Sequence, residues 1–178
     1  VLAALRFPAY CLHEELSMSA RDPADRLWEL MSDIAVAMVV THDGHGDDVR
    51  ARPMYARPEA DDNAIYFLTD ADAPKDGEVQ ANSNVCLTFA DGRGSRFVSV
   101  TGVADVIVDR DVAAKIWKSA DKAFWKDAND PRLRILRVTP ERGEFWEGQG
   151  LVSNVVAMIK SAATGARPKL GRSEKVAM

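Results

Sequence analysis

The sequence predicts a mainly β protein, with six or seven short antiparallel strands curled into a closed or nearly closed barrel and flanked by peripheral helices. Three observations predict it. Short apolar or alternating runs recur along the chain, segments rich in Gly, Asp and Asn punctuate them, and helical spacing is confined to a few stretches between. Strands so short and so many favour closure, because closing a sheet removes the unpaired edges that an open one exposes.

The elements follow in order. Asp22-Pro23 is an N-cap with proline at the first helical position, and Leu27, Leu30, Met31 and Ile34 recur behind it at helical spacing. Strand-type runs then cover Ile34–Thr41, Val49–Ala56 and Ala64–Thr69, with turns HDGHGDD and EADDN between them. A short helical turn around Glu78–Ala81 precedes Val85–Phe89, the turn DGRGS and the long alternating run Phe97–Val108, where Gly102 suggests a bulge. Asp109 can cap a helix carrying Val112, Ile116 and Trp117, after which Leu133–Val138 and Glu144–Trp146 add extended pieces. The barrel is thus expected over residues 18–150. Residues 1–17 read as a non-native or disordered leader, and residues 151–178 as an apolar helix (LVSNVVAMIKSAA) followed by a basic, solvated tail docked on the barrel.

Composition narrows the function. The 178 residues are 47% hydrophobic and 28% charged, which suits one folded domain and not a disordered chain. With 23 Lys and Arg against 27 Asp and Glu, the net charge of −4 sets up no global field to attract nucleic acid. The apolar run Ile34 to Val40 is far short of the roughly 20 residues of a membrane span. No secretion signal is read, and Cys11 and Cys86 show no CxxC spacing, so a reducing, cytoplasmic setting is expected.

Signatures of common catalysts are missing from the sequence: it has no GxSxG, P-loop, HExxH, EF-hand loop or complete GxGxxG. The His- and Asp-rich turn at 42–48 is either a solvated hairpin turn or a metal site without recognised spacing. The informative stretch is VRARPMYARPEADDNAIYFLTDADAPKDGEV. Alternation puts Arg50, Arg52 and Met54 on one strand face, where an Arg among apolar neighbours needs an anionic partner. That partner is either an acidic residue of the chain, or solvent, or a ligand. Thr69 at a strand end and Lys75 six residues on could be a turn cap and a solvated cation. Together with Arg52 they are also the donors that a phosphate monoester of charge near −2 requires.

In this order and spacing, the opening helix, ARPM (51–54), YFLT (66–69) with Lys75, NSNVCLTFAD (82–91), FVSVTGVADVIVDRD (97–111), IW (116–117), NDPRLRILRVTP (129–140) and EFW (144–146) resemble the flavin-binding split barrels of the pyridoxamine 5′-phosphate oxidase-like superfamily, particularly its general stress protein 26 group. The resemblance covers about residues 22–178. It implies a homodimer with FMN, or FAD, in a cleft between two barrels. It implies that Arg52, Thr69 and Lys75 hold the phosphate, that Pro53, Met54 and Leu68 contact the ring and ribityl chain, and that Trp146 comes from the other subunit. It further implies a flavin-dependent oxidoreductase working with a small-molecule electron donor or acceptor, since flavin N5 exchanges hydride without a protein base. The alternative is a flavin-binding stress protein that stores, senses or buffers the cofactor, and a third reading is a barrel that has lost it. Two departures speak against true pyridoxamine 5′-phosphate oxidation. The Arg-x-His-x-Arg grip is replaced by EGQGLVSNVVA, and Phe97 stands where those oxidases place a flavin-contacting Gln. Trp28 and Trp117 read as core, Trp125 as a possible cleft residue and Cys86 as packing.

Overall fold

The computed structural model describes residues 22–42, 48–73, 75–148 and 172–178. The expected leader, most of the HDGHGDD turn and the expected C-terminal helix lie outside them. Among the described residues, three α-helices and eight strands run in the order α1 (Pro23–Ile34), β1 (Val36–His42), β2 (Val49–Tyr55), β3 (Arg57–Glu59), β4 (Ala64–Asp70), α2 (Lys75–Ala81), β5 (Asn84–Asp91), β6 (Arg96–Ile107), α3 (Arg110–Ile116), β7 (Leu133–Glu147) and β8 (Arg172–Ala177). All pairings are antiparallel, in the spatial order β2-β1-β5-β6-β7-β4-β3, with β8 added beside β7. The sheet curls into a split barrel, as the sequence predicts.

Helix α1 begins where its cap places it: the Asp22 carboxylate accepts from the Ala24 amide at 2.9 Å, and Pro23 occupies the first turn, where an amide hydrogen would have no helical partner. Its buried face, Leu27, Leu30 and Met31, plugs the barrel against Ala37, Val39, Phe67, Phe89, Val100 and Phe145. Gly143 on β7 permits that approach, since a Cβ there would stand 2.7 Å from a Leu27 methyl. The same helix is pinned at its side by Arg26, whose guanidinium donates to both oxygens of Glu147.

Strand β4 is buried on both faces. Ile65 and Phe67 join the barrel interior, whereas Tyr66 and Leu68 pack outward with Ile116, Trp125, Leu133 and Ile135 beneath α3. That double burial explains why AIYFLT reads as a continuous apolar run with no alternation. Helix α3 takes the cap the sequence assigns it, Asp109 accepting from the amides of Asp111 and Val112.

Strand β7 is one fifteen-residue element where the sequence suggests two pieces. Its first half, Leu133–Val138, pairs with β4, and its second half, Arg142–Glu147, pairs with β8 on the same edge. Pro140 falls in the interval where that edge changes partner, so a proline that looks like a strand breaker is accommodated. The bulge expected at Gly102 is present: the register shifts between Thr101 and Gly102, and β7 carries Glu141 as the extra residue. A Cβ on Gly102 would lie 2.2 Å from the Thr139 carbonyl oxygen. The expected solvated tail ends instead in β8, whose Val176, together with Met178, packs on the barrel core.

Candidate functional site

Strand β3 covers only Ala64–Tyr66 of its neighbour, so the edge of β4 beyond Tyr66 is left facing the free edge of β2. A cleft of about 340 Å³ opens along this seam. Consecutive residues of both strands line it, Pro53, Met54 and Tyr55 on one side and Leu68, Thr69 and Asp70 on the other. A cleft bordered by strand edges admits consecutive residues, whereas one bordered by a sheet face admits alternate ones.

The far wall comes from the segment after α3. Trp125 is buried against Leu68 and its neighbours and donates its indole N–H to Asp70 at 3.1 Å, while Phe124 beside it is 70% exposed at the cleft mouth, as is Tyr55. Arg57 fixes this wall. Buried at the start of β3, it donates to the Ile116 and Tyr55 carbonyls at 3.0 and 3.1 Å and to the Asp121 carboxylate at 2.6 Å. The other Asp121 oxygen accepts from the Lys118 amide at 2.8 Å, closing the 3₁₀ turn Ser119–Ala123. Arg57 therefore acts as a strut between β2, α3 and the cleft wall.

A polar cluster is built on the inward face of β2. Arg52 lies opposite Val39 of β1 and donates from its two terminal nitrogens to Glu78 of α2, at 2.6 and 2.9 Å. Thr41 donates to the same carboxylate at 2.7 Å and accepts from Arg52 at 3.2 Å. Of the partners open to Arg52 in the sequence, the chain supplies the acidic one. Hydrogen bonding from Arg52, and then from Thr41, holds the Glu78 carboxyl below its usual range against the opposing effect of burial.

The structure brings Pro53, Met54, Leu68 and Thr69 together as cleft lining. Arg52 sits on the same strand as Pro53 and Met54, with its guanidinium turned inward onto Glu78. Lys75 is the first residue of α2, and its side chain is outside the described residues. Trp146 is not part of this cleft within one chain. It lies on the outer face of β7, 39% exposed and directly opposite Phe97 of β6. Sequence reasoning missed Glu78, Asp121, Phe124 and Tyr55. Only for Glu78 was a signal available: its position one helical turn after Lys75 places both on one side of α2.

Two polar faces of the cleft deserve separate chemistry. Thr69 brings a hydroxyl beside the apolar surface of Met54, Leu68 and Trp125, which suits a flat, mostly apolar ligand with one polar end. Both carboxylates in the lining are already committed, Asp70 to Trp125 and Asp121 to Arg57. Among the described residues no cluster of three or more His, Cys, Asp or Glu could hold a metal ion, and no helix is long and apolar enough to cross a membrane.

Fold and seam together define a split-barrel protein with a cleft at its open edge. A profile of the pyridoxamine 5′-phosphate oxidase-like family matches residues 22–169, and the chain belongs to that family. Protein bli-3 of Neurospora crassa is 21% identical over 167 residues, which span 86% of this chain and 78% of that protein. General stress protein 26 of Bacillus subtilis is 31% identical over 80 residues, spanning 43% of this chain and 57% of that protein. Among solved structures, a putative general stress protein 26 from Jannaschia sp. CCS1 superposes with a TM-score of 0.68 at 20% identity, covering 87% of this chain and 97% of that one. The general stress FMN/FAD binding protein of Xanthomonas citri superposes with a TM-score of 0.60 at 24% identity, covering 69% and 87%. At such identities these structures share the fold.

Proposed function

We propose that the chain binds FMN, or FAD, in the cleft between β2 and β4 and acts as a flavin-dependent oxidoreductase in a reducing, cytoplasmic setting. The observation that carries the reading is the convergence of Pro53, Met54, Leu68 and Thr69 on one cleft, beside the strand that bears Arg52. Its volume lies at the lower end of the roughly 300–1,000 Å³ typical of small-ligand clefts. Met54, Leu68 and Trp125 offer apolar surface to a three-ring heterocycle, Thr69 offers a hydroxyl, and Arg52, on the strand that supplies Pro53 and Met54, is the cation for the phosphate end. A bound flavin would supply hydride exchange at N5; the chain holds and orients the ring and narrows its access to water.

The second element of the proposal is a homodimer. The outer face of the sheet exposes Val36, Met38, Tyr55, Phe97 and Trp146, and the strand registers place them across adjoining strands, as in Val36 opposite Tyr55 and Phe97 opposite Trp146. A contiguous apolar face of this kind marks an interaction surface. A second copy seated there would bring its own Trp146 toward the partner's seam.

The commitment of Asp70 and Asp121 to structural partners favours one further reading, a flavin-holding protein without a dedicated substrate. One preparation tests all of this. Purified protein mixed with FMN is expected to show a shifted, structured flavin absorption band that follows protein concentration through dimer dissociation, with Arg52→Ala weakening FMN binding by about tenfold or more, because the guanidinium is lost and Glu78 is left without its cation. An unperturbed flavin spectrum would remove the cofactor proposal. Oxidation of NAD(P)H by the loaded protein supports the oxidoreductase, and failure with every reductant tried supports the flavin-holding reading.

A further inference from the structure

A phosphate site built on Arg52 has an unexpected occupant. Glu78 is 4% exposed, takes both terminal nitrogens of Arg52 and the Thr41 hydroxyl, and has an Arg50 nitrogen 4.0 Å away. The guanidinium that would meet a phosphate is thus already paired with a carboxylate of the chain, one that Arg50 also approaches. A phosphate brought to Arg52 would find a carboxylate on the other side of the same cation, and two anions sharing one guanidinium repel each other strongly in a partly buried site.

Resting on the flavin reading above, we infer that Glu78 is a specificity-determining residue of the cleft: by pairing with Arg52 it reduces what the phosphate monoester adds to binding, so the site discriminates little between FMN and riboflavin. The apolar lining of the cleft, Met54, Leu68 and Trp125, carries no charged group and treats the two flavins alike. The ratio of riboflavin to FMN dissociation constants therefore isolates the phosphate end. Glu78→Gln keeps an acceptor for Arg52 and Thr41 while deleting the charge.

The experiment is a fluorescence titration of riboflavin and of FMN into the full chain at fixed ionic strength. Wild type is expected to prefer FMN by less than about tenfold, and Glu78→Gln to raise that preference about tenfold or more. Glu78→Ala should move the ratio in the same direction, and because the ratio is read within each folded variant, a general change in cleft shape cancels. Arg52→Ala, which strands Glu78, should invert the ratio so that riboflavin binds better than FMN. A purely structural Glu78 would change both flavins in proportion, and an unmoved ratio in Glu78→Gln and Glu78→Ala overturns the inference while leaving flavin binding intact. Wild type that binds neither flavin overturns the flavin reading itself, and this inference with it.

Discussion

Arg52 and Arg57 stand five residues apart on successive strands, and each meets a carboxylate at 2.6 Å, yet they are built for different work. Arg57 is closed: its Nε and both Nη groups donate to the Ile116 and Tyr55 carbonyls and to Asp121, and its side chain is 7% exposed. Arg52 leans on Glu78 and Thr41 alone among the described residues, and keeps 24% of its side chain open beside a cleft. A guanidinium whose donors are consumed by the chain serves architecture. One whose partners sit on a single side still has somewhere for a ligand to approach.

The sharpest way to break this contrast is Arg57→Ala. It leaves Asp121 buried without its cation and frees the wall that carries Phe124 and Trp125, so a loss of about 3–5 kcal/mol of stability is expected in denaturant melts, well above the loss for Arg52→Ala. Equal losses for the two would show that Arg52 is as structural as Arg57. A smaller effect follows from pH. Because Arg52 holds the Glu78 carboxyl below the usual range, as Arg26 holds that of Glu147, these pairs contribute fully above the unfolded value of about 4.3 and their contribution is lost as pH falls through the lower folded values. Thermal melts should therefore hold level from neutral pH to about 5 and drop below about 4.3, with Glu78→Gln shallowing that fall. A wild-type melt as steep as the variant's would remove Glu78 from the account. The smallest effect is optical: flavin in the cleft should quench Trp125, so Trp125→Phe should reduce the flavin-induced quenching and Trp28→Phe should not. Quenching undiminished in Trp125→Phe would place the ligand elsewhere.

Much of the fold is legible because β5 and β6 alternate between buried and more exposed side chains and α1 and α3 announce their caps at Asp22 and Asp109. What escapes does so for stated reasons. Strand β7 looks broken because Pro140 and Gly143 are locally unfavourable, and only the change of edge partner and the approach of Leu27 make them useful. Strand β8 carries Arg, Ser, Glu and Lys and is half solvated, so it has no apolar pattern to read. The cleft lining of Pro53, Met54, Leu68 and Thr69 is recoverable from family resemblance and strand order. Glu78 is legible only as a neighbour of Lys75 along α2, since its encounter with Arg52 depends on α2 packing against β1.

The double burial of β4 bears on how the molecule is made. Its apolar run emerges long before β7, the strand that covers its edge, and at ~5–20 residues per second the roughly 60–70 intervening residues take about 3–15 s to synthesise. For that interval AIYFLT is an uncharged, β-prone hexapeptide that β3 covers only over Ala64–Tyr66, the kind of segment that pairs with copies of itself. Output of properly folded material should therefore respond to elongation rate and to chaperones that hold nascent chains more than to the final stability of the barrel.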